Sequence, residues 1–172
     1  TGLNILLTGG LGYIGSHVAV VLYEAGHQVT ILDNLSNCKI EVLGRLEKIL
    51  GKAPEFIQGD IRDQELVETI LEKHQIGAVM HFAGLKAVGE SVREPLDYYE
   101  NNVGGTIALL QAMKKCQVKT LVFSSSATVY GTPQYLPIDE SHPTKPESPY
   151  GQTKLQIEEI LRDLANSDAA WK

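Results

Sequence analysis

The chain has 172 residues, of which 43% are hydrophobic and 21% charged, and its formal net charge is −6. This size allows one domain of ordinary dimensions and is too small for two full ones. No apolar run approaches the roughly 18 residues that cross a membrane, no basic and apolar leader is recognisable, and no block of Lys and Arg is present to neutralise nucleic-acid phosphates. Neither a membrane protein nor a nucleic-acid partner is expected.

The cysteines and histidines show no pattern typical of a disulfide scaffold or a metal site. The two cysteines, Cys38 and Cys116, lie far apart in the sequence. Reduced thiols in a cytoplasmic protein are the simplest interpretation. The five histidines lack the spacing of metal ligands, so no metal site is predicted.

The first four predicted elements alternate between strand and helix. In chain order they are a strand at Leu3–Leu7, a helix at Ser16–Ala25, a strand at Gln28–Leu32 and a helix at 42–50. Gly26 and Gly51 are expected to end the two helices. Helical periodicity predicts that each helix buries one face, formed by Val18, Val21, Leu22 and Ala25 in the first and by Val42, Leu43, Leu46, Ile49 and Leu50 in the second.

The same alternation continues through the second half of the chain. Its elements are a strand at Glu55–Ile57, a helix at Asp63–Lys73, a strand at Ala78–Phe82, a long helix at Leu96–Cys116, a strand at Thr120–Ser124 and a last helix from Tyr150 to about Ala165. Inward-facing residues are predicted at Leu66, Val67, Ile70 and Leu71, and then at Tyr99, Val103, Leu109, Leu110 and Met113. Five of the seven prolines lie between Pro133 and Pro149, which predicts a loop there because proline cannot donate to a strand ladder.

Strands separated by crossover helices predict an α/β fold with a doubly wound parallel sheet. Right-handed crossovers bring the loops after each strand to one edge of that sheet, where ligands bind. The alternation calls for a further strand after the last helix. We therefore expect one domain over residues 1–172 that forms the front part of a longer protein, and a natural stop codon after Lys172 would contradict this.

A glycine-rich turn lies between the first strand and the first helix. In Thr8–Gly15 the three residues Gly9, Gly12 and Gly15 have G-x-x-G-x-x-G spacing, one residue wider at the start than the dinucleotide fingerprint. The first glycine permits a tight turn, the second allows backbone to approach a pyrophosphate, and the third lets the helix pack closely on the strand. Because a helix N-terminus also attracts anions, the turn predicts a dinucleotide-binding Rossmann fold.

Two aspartates follow strands at the same edge. Asp33 lies 18 residues after Gly15, near the roughly 20 expected for the acid that binds the adenosine ribose. A carboxylate there favours NAD over NADP, although Lys39 lies nearby, and capping the next helix is the alternative role. Asp60 can either bind the adenine amino group or cap the helix that follows it.

Tyr150 and Lys154 stand at i and i+4, on the same face of the last helix. Ser148 is suited to cap that helix and Pro149 to its first turn. A free tyrosine has a pKa of about 10 and is a poor base at neutral pH, but a nearby ammonium favours its phenolate. Ser126, beyond the fifth strand, can join them at the ligand edge. A Tyr-Lys pair alone usually marks an exposed helix face, and a serine-rich turn commonly caps a strand end.

Together these motifs resemble the extended short-chain dehydrogenase/reductase family, and within it the branch that epimerises UDP-hexoses at C4. The resemblance covers essentially the whole chain. It rests on seven segments: Thr8–Gly15, Asp33-Asn34, Gly59–Ile61, His81–Ser91, Tyr98–Asn102, Ser124–Gly131 and Ser148–Lys154. The stretch His81–Ser91 is specific to that branch, whereas the glycine turn is common to the superfamily.

The resemblance implies an NAD site and a catalytic set. The cofactor site would include Gly9, Gly12, Tyr13, Ile14, Gly15, Asp33, Asn34, Leu35, Ser36, Asn37, Cys38, Asp60, Ile61, Phe82, Ala83, Gly84, Leu85, Lys86, Asn101, Ser126, Tyr150 and Lys154. Catalysis would use Tyr150, Lys154 and Ser126, and the UDP-hexose would meet Lys86, Ser126 and Tyr150. Tyr150 is expected to take the proton of the C4 hydroxyl, with Ser126 helping to relay it, while Lys154 binds the nicotinamide ribose.

The resemblance also implies that the transient 4-keto sugar turns over and is reduced on its other face, which interconverts UDP-galactose and UDP-glucose. Related 4,6-dehydratases carry an Asp-Glu pair after the residue that matches Ser126. This chain has Ala127 and Thr128 there, so elimination is disfavoured. Another NAD-dependent sugar-nucleotide enzyme and a non-catalytic nucleotide-binding module remain alternatives. Family members commonly dimerise through the helices predicted at Leu96–Cys116 and Tyr150–Ala165, so a homodimer is expected.

Overall fold

A computed structural model describes residues 2–172 of the chain. Five strands form one sheet in the order β3-β2-β1-β4-β5, and all four pairs of neighbours are parallel. The strands are β1 Asn4–Thr8, β2 Gln28–Asp33, β3 Glu55–Gln58, β4 Ala78–His81 and β5 Leu121–Phe123. This order confirms the predicted doubly wound parallel sheet.

Helices connect the strands on both faces of the sheet. They are α1 Tyr13–Glu24, α2 Glu41–Leu50, α3 Gln64–Lys73, α4 Val88–Arg93, α5 Pro95–Tyr98, α6 Gly105–Lys115 and α7 Pro149–Ser167, with a π-helix at Tyr99–Gly104 and a 3₁₀ turn at Ala127–Tyr130. The helix α4 was not predicted, because six residues are too few to show a helical period. Within residues 2–172, no helix is both long enough and apolar enough to span a bilayer.

Successive residues of a strand point to opposite faces of the sheet, and they contribute to one apolar layer on each face. One layer joins Ile5 and Leu7 of β1 to α1 and α2, and the other joins Leu6 to α3 and α6. Most of the predicted inward faces are confirmed, including Leu46 of α2, but three of their members are wrong. Val21 is 62% exposed, Ile49 is 65% exposed and Ala25 is also exposed.

The error in α1 lies in which of its faces the sheet covers. The helix begins at Tyr13, three residues earlier than predicted, and it packs against the sheet through its small residues Gly15 and Ala19, which are buried. Small side chains let the helix approach the strands closely. The valine stripe that the periodicity singled out therefore lies partly at the edge of this contact.

The predicted long helix at Leu96–Cys116 is a helical run with an internal π-helical segment. The segment Tyr99–Gly104 separates α5 from α6. A π-helix widens the turn by one residue and changes the direction of the side chains that follow it, and such segments are frequent at functional sites. Apolar periodicity does not reveal it, because the residues on both sides keep a helical pattern.

The sheet register brings the key loops together. Thr8, the last residue of β1, pairs with Leu32 on one side and with His81 on the other. Asp33 ends β2 one residue after Leu32. The loops that follow β1, β2 and β4 therefore begin side by side at the carboxyl edge of the sheet, as expected for a ligand site.

Candidate active site

The glycines of the first turn are required by close backbone contacts. Gly9 has φ +66°, and a Cβ on it would lie 2.6 Å from the backbone nitrogen of Ala83. A Cβ on Gly15 would lie 2.5 Å from the carbonyl oxygen of Gly9. Gly9 therefore lets the turn lie against the loop after β4, and Gly15 lets α1 pack under the turn.

Gly12 stands at the open N-terminus of α1. It is the N-cap residue, no side chain caps the helix, and the first turn holds no acidic residue. A Cβ at Gly12 would lie 4.0 Å from Nζ of Lys86. The N-terminus of α1 therefore offers unpaired N–H groups and the positive end of the helix dipole, and the ammonium of Lys86 lies close by. This combination suits the pyrophosphate of a dinucleotide.

The carboxylate of Asp33 is largely engaged by the protein. Oδ2 accepts a hydrogen bond from the backbone N–H of Leu11 at 3.1 Å, and Oδ1 accepts from the N–H of Leu35 at 2.9 Å and from Sγ of Cys38 at 3.3 Å. A carboxylate oxygen can accept about two hydrogen bonds. One acceptor position remains on Oδ2, and a ribose hydroxyl could fill it.

Cys38 is held as a thiol. Burial, the negative charge of Asp33 and the hydrogen bond to that carboxylate raise the pKa of Cys38 to about 12, against a smaller opposing effect of Lys86. The reactive form of cysteine is the thiolate. Cys38 therefore acts here as a hydrogen-bond donor that helps to fix Asp33.

Asp60 is bound by Arg62 on both of its oxygens. Oδ1 accepts from the backbone N and from Nε of Arg62, and Oδ2 accepts from the guanidinium of Arg62 and from Nδ2 of Asn34. Burial raises the pKa of Asp60, but these hydrogen bonds outweigh burial and hold it below its usual value. Because the carboxylate of Asp60 already accepts four hydrogen bonds, it can accept one from an adenine amino group only if the side chain of Asn34 moves away.

A single cleft runs along this edge of the sheet. It gathers sixteen of the residues predicted for the cofactor: Gly9, Gly12, Tyr13, Asp33, Asn34, Ser36, Asn37, Cys38, Asp60, Ile61, Phe82, Ala83, Gly84, Leu85, Lys86 and Asn101. Leu32 and Gly59 also line it and were not predicted. Both adjoin predicted residues, Leu32 before Asp33 and Gly59 before Asp60.

The other predicted cofactor residues lie outside the lining of the cleft. Ile14 is 48% exposed on α1, Gly15 packs under the turn, and Leu35 packs against the apolar layer of α1 and α2. Tyr150 and Lys154 are in the first turns of α7, and Ser126 immediately precedes the 3₁₀ turn. No group of three or more His, Cys, Asp or Glu side chains in residues 2–172 is arranged to hold a metal ion.

A buried chain of hydrogen bonds joins the strand ends behind the cleft. The Thr106 hydroxyl donates to the carbonyl of Asn102 at 2.6 Å, so it accepts from Nε2 of His81 at 2.9 Å. Nδ1 of His81 is then an acceptor for the Thr8 hydroxyl at 2.5 Å, and Thr8 in turn accepts from the N–H of Ala83 at 3.2 Å. Burial, with a smaller effect of Lys154, lowers the pKa of His81 to about 3, so the ring is neutral.

Asn102 connects the loop after β4 to the last helix. Its side chain bonds both backbone groups of Leu85, at 2.8 Å and 3.1 Å, and donates to the Thr153 hydroxyl at 3.1 Å. Gly84 has φ +152°, and a Cβ on it would lie 3.1 Å from Oδ1 of Asn102 and 4.0 Å from Nζ of Lys154. Gly84, which lines the cleft, is therefore where the cleft adjoins α7.

Lys154 is almost completely buried, with 3% exposure. Nζ donates to the carbonyl of Ser124 at 3.1 Å and lies 4.8 Å from the centre of the Phe123 ring and 5.9 Å from that of Tyr150. Burial, with a smaller effect of Lys86, lowers the pKa of Lys154 to about 8. At neutral pH the ammonium is therefore present and lies next to the tyrosine.

The ring of Tyr150 packs against a second aromatic ring. The Tyr98 ring meets it edge-on with a centroid distance of 6.4 Å, and the Tyr98 hydroxyl accepts from the N–H of Ala87 and donates to Glu90. The side chain of Ser148 accepts from the N–H of Gly151 at 3.1 Å, and Pro149 occupies the first turn. The predicted start of this helix is confirmed.

Asn102, Tyr98 and Thr153 had no role in the sequence prediction. Asn102 and Tyr98 belong to one of the segments that carry the family resemblance, so the sequence did contain a signal for them. Their partners are contributed by the loop after β4 and by α7, and no periodicity relates those parts of the chain.

The chain matches known proteins over nearly its full length. The profile of the GDP-mannose 4,6-dehydratase family matches residues 6–171. UDP-glucose 4-epimerase of Yersinia pestis is 56% identical over 168 residues, which are 97% of this chain and 50% of that protein. The mouse enzyme of the same name is 52% identical over 175 residues, covering 98% and 50%. The chain spans about half the length of these curated relatives.

Solved structures agree with this likeness. UDP-glucose 4-epimerase of Bifidobacterium longum, in complex with NAD⁺ and UDP, superposes with a TM-score of 0.95 at 48% identity and covers 98% of this chain and 51% of that one. The Stenotrophomonas maltophila enzyme, with bound NAD and formylated UDP-arabinopyranose, gives 0.94 at 50% identity and covers 96% and 49%.

Proposed function

Because the chain belongs to the family of the GDP-mannose 4,6-dehydratase profile, within the NAD-dependent epimerases and dehydratases of the extended short-chain dehydrogenase/reductases, we propose that it is the cofactor-binding half of a UDP-glucose 4-epimerase. The observation that carries the proposal is the buried Tyr150–Lys154 pair, whose ammonium lies beside Gly84 in the lining of the cleft. An exposed helix face, the alternative role for such a pair, does not account for this burial.

We propose NAD as the cofactor, and the donor set supports it. The N-terminus of α1 and Lys86 would hold the pyrophosphate, Asp33 the adenosine ribose, and Asp60, after β3, the adenine amino group. A carboxylate at Asp33 repels a 2′-phosphate, which favours NAD over NADP. When bound, NAD would supply the hydride acceptor for C4 of the sugar and, once reduced, the hydride donor for its opposite face.

Side chains of this protein would carry out the proton transfer. Tyr150 takes the proton of the C4 hydroxyl during oxidation and gives it back to the same oxygen during reduction, so it ends each cycle unchanged. The ammonium of Lys154, 5.9 Å from the centre of the Tyr150 ring, would face the oxygen that exchanges the proton and would bind a hydroxyl of the nicotinamide ribose. Lys86 adds the charge that would retain a cofactor through both half-reactions.

The segment after Ser126 favours epimerisation over the dehydration that gives the family profile its name. Dehydration removes a proton and a hydroxyl from neighbouring carbons, and this needs a base and an acid. Ala127 and Thr128 supply neither at neutral pH.

We further propose that the complete enzyme has a second part that binds the UDP-hexose and that it forms a cytoplasmic homodimer. The half-length match to its relatives supports the first point. Leu96 is 81% exposed and Ile107 42% exposed, and these apolar side chains lie in the helical run through which family members commonly dimerise. A monomeric mass of the longer protein in light scattering would contradict the dimer.

The proposal is tested by adding UDP-glucose to the purified full-length protein. We expect a near-ultraviolet band of reduced nicotinamide to appear and UDP-galactose to be converted to UDP-glucose. A protein that binds NAD and UDP but never shows the band would instead be a non-catalytic nucleotide-binding module. The 172 residues alone should bind NAD weakly and show little epimerase activity, because they lack the proposed sugar-binding part.

A further inference from the structure

Tyr98 contacts both the loop after β4 and the side chain of Tyr150. It is fully buried although it carries a hydroxyl group. That hydroxyl lies 2.9 Å from the backbone nitrogen of Ala87 and 3.1 Å from a carboxylate oxygen of Glu90. Its ring meets the Tyr150 ring at an interplanar angle of 87°. Neither the cofactor cleft nor the proposed proton transfer assigns a role to Tyr98.

The chemistry of its partners determines the direction of both hydrogen bonds. A backbone N–H can only donate, so the Tyr98 oxygen accepts from Ala87. An ionised carboxylate can only accept, so the phenol proton is donated to Glu90. Burial raises the pKa of Tyr98, the bond from Ala87 opposes this rise, and Glu90 adds to it. Tyr98 therefore remains a neutral phenol at neutral pH and does not compete with Tyr150 as a base.

The hydroxyl of Tyr98 restrains the end of a loop that lines the cofactor cleft. Gly84, Leu85 and Lys86 line the cleft, and Ala87 follows Lys86 directly as the N-cap residue of α4. A hydrogen bond at Ala87 therefore restrains the backbone that carries Lys86. The ammonium of Lys86 lies near the open N-terminus of α1, where the pyrophosphate is proposed to bind.

The ring of Tyr98 restrains the ring of Tyr150. Tyr98 is the last residue of α5 and Tyr150 lies in the first turn of α7, and both side chains are buried. Edge-on aromatic pairs at a centroid distance of 6.4 Å have a preferred geometry and contribute more than their buried area. The contact therefore limits the directions in which the Tyr150 hydroxyl can point.

We propose that Tyr98 is a positioning residue with two separable roles. Its hydroxyl holds the loop that binds the pyrophosphate of NAD, and its ring aligns Tyr150 with the C4 hydroxyl of the sugar. Because both roles belong to one buried side chain, the cofactor loop and the base keep a fixed relation to each other. This inference rests on the proposed function, since it needs NAD in the cleft and a hexose beside Tyr150.

Tyr98→Phe tests the role of the hydroxyl. The variant keeps the ring and removes the hydrogen bond to Ala87. The dissociation constant of NAD for the full-length protein, measured by calorimetry, should rise about 2- to 10-fold, the range that one net hydrogen bond supplies. At saturating NAD and UDP-galactose, Tyr98→Phe should keep most of the wild-type kcat, because the ring still packs against Tyr150.

Tyr98→Met tests the role of the ring. Methionine fills irregular gaps in a core, and the variant lacks the hydroxyl just as Tyr98→Phe does. Compared with Tyr98→Phe, kcat should fall by about 10- to 100-fold, since a small displacement of reacting groups is costly. The KM for UDP-galactose and the affinity for NAD should match those of Tyr98→Phe. A purely structural role would lower the melting temperature without this split between kcat and KM.

Glu90 provides a control for charge. Its exposed side chain lies in the first turn of α4, and both Glu90→Gln and Glu90→Ala remove its negative charge. Charge alone would tighten the binding of anionic NAD equally in the two variants. Glu90→Gln keeps an oxygen that accepts the Tyr98 proton, whereas Glu90→Ala leaves the hydroxyl without that partner. Glu90→Ala should therefore bind NAD more weakly than Glu90→Gln.

The outcomes separate the inference from the proposed function. Unchanged NAD binding in Tyr98→Phe, or equal kcat in folded Tyr98→Met and Tyr98→Phe, would overturn the inference and leave the epimerase assignment in place. A kcat of Tyr98→Phe as low as that of Tyr150→Phe would also overturn it, because the Tyr98 hydroxyl would then take part in proton transfer. If Tyr98→Met does not fold, Tyr98→Phe and the Glu90 variants still decide. Failure of wild type to bind NAD or to convert UDP-galactose would overturn the proposed function itself.

Discussion

The ammonium of Lys154 lies 5.9 Å from the centre of the Tyr150 ring, and it is the more deeply buried of the two side chains. Both residues lie on the first turns of α7, and the carbonyl of Ser124 accepts a hydrogen bond from the ammonium. Burying a positive charge in such a place weakens the fold, as is common for groups that act on a neighbour in a functional site. Tyr150 is the neighbour that the proposed chemistry needs.

Replacing Lys154 should therefore stabilise the cofactor-free protein while removing activity. A fall of its pKa from 10.5 to about 8 corresponds to roughly 3 kcal/mol of unfavourable burial. We expect Lys154→Met to raise the free energy of unfolding at pH 7 by about 1–3 kcal/mol in urea titrations, less the lost bond to Ser124.

The stability advantage of Lys154→Met over wild type should decrease as the pH rises. Below pH 8 the ammonium is charged in both states and the penalty is complete. Between pH 8 and 10.5 the unfolded chain binds more protons than the folded one, so wild type gains stability as the pH rises. The advantage of Lys154→Met should shrink across this window, and an advantage independent of pH would contradict the assignment.

Lys86 should contribute strongly to cofactor binding. Its ammonium lies near the open N-terminus of α1, where a charge-assisted bond to a phosphate is worth roughly 1.5–3 kcal/mol. Lys86→Gln should weaken NAD binding by about 10- to 100-fold in calorimetry. Lys73→Gln, which removes an exposed charge on the last turn of α3, serves as the control, and equal effects of the two variants would argue against a pyrophosphate beside Lys86.

Cys38 should be unreactive although it lines the cleft. With its pKa raised to about 12, very little thiolate is present at pH 7.5, so alkylation by iodoacetamide in a Cys116→Ser background should be slow. Asp33→Asn removes the carboxylate charge and should speed the reaction about tenfold for each unit by which the pKa falls. Bound NAD should slow it again, whereas rapid alkylation of the starting protein would show that Asp33 does not hold the thiol.

His81 should make the fold sensitive to acid. Its folded pKa of about 3 lies below the usual 6.5, so the unfolded chain takes up a proton first as the pH falls through this interval. By pH 5 this should cost roughly 2 kcal/mol of stability. His81→Gln should be less stable at pH 7 but should show a flatter pH profile between 6.5 and 4, and an equally steep profile would assign the acid sensitivity to other groups.

The sequence predicted a doubly wound parallel sheet, its five strands and most of the helices, because short apolar runs and amphipathic segments alternate clearly. Most of the residues that line the cleft were implied by the family resemblance. Glycine spacing and strand ends by themselves pointed only to the glycine turn, Asp33 and Asp60. The likeness to the extended short-chain dehydrogenase/reductase family is confirmed by the family profile.

What the sequence did not predict depends on contacts between distant segments. The π-helix is one example, since it changes the direction of Asn101 and Asn102 without altering the apolar pattern. The saturated carboxylate of Asp60 is another, because its partners Asn34 and Arg62 follow two different strands. Val21 and Ile49 were assigned to the core because periodicity identifies an apolar face but not how much of it a partner covers.

The most direct test of the account is the turnover of UDP-galactose by the full-length protein and by its Tyr150→Phe variant. The substitution keeps the ring against Tyr98 and deletes only the oxygen that takes the proton. We predict that kcat falls by at least about 100-fold, while the affinity for NAD stays within a few-fold of wild type. Unchanged turnover in Tyr150→Phe would contradict the assignment of Tyr150 as the base.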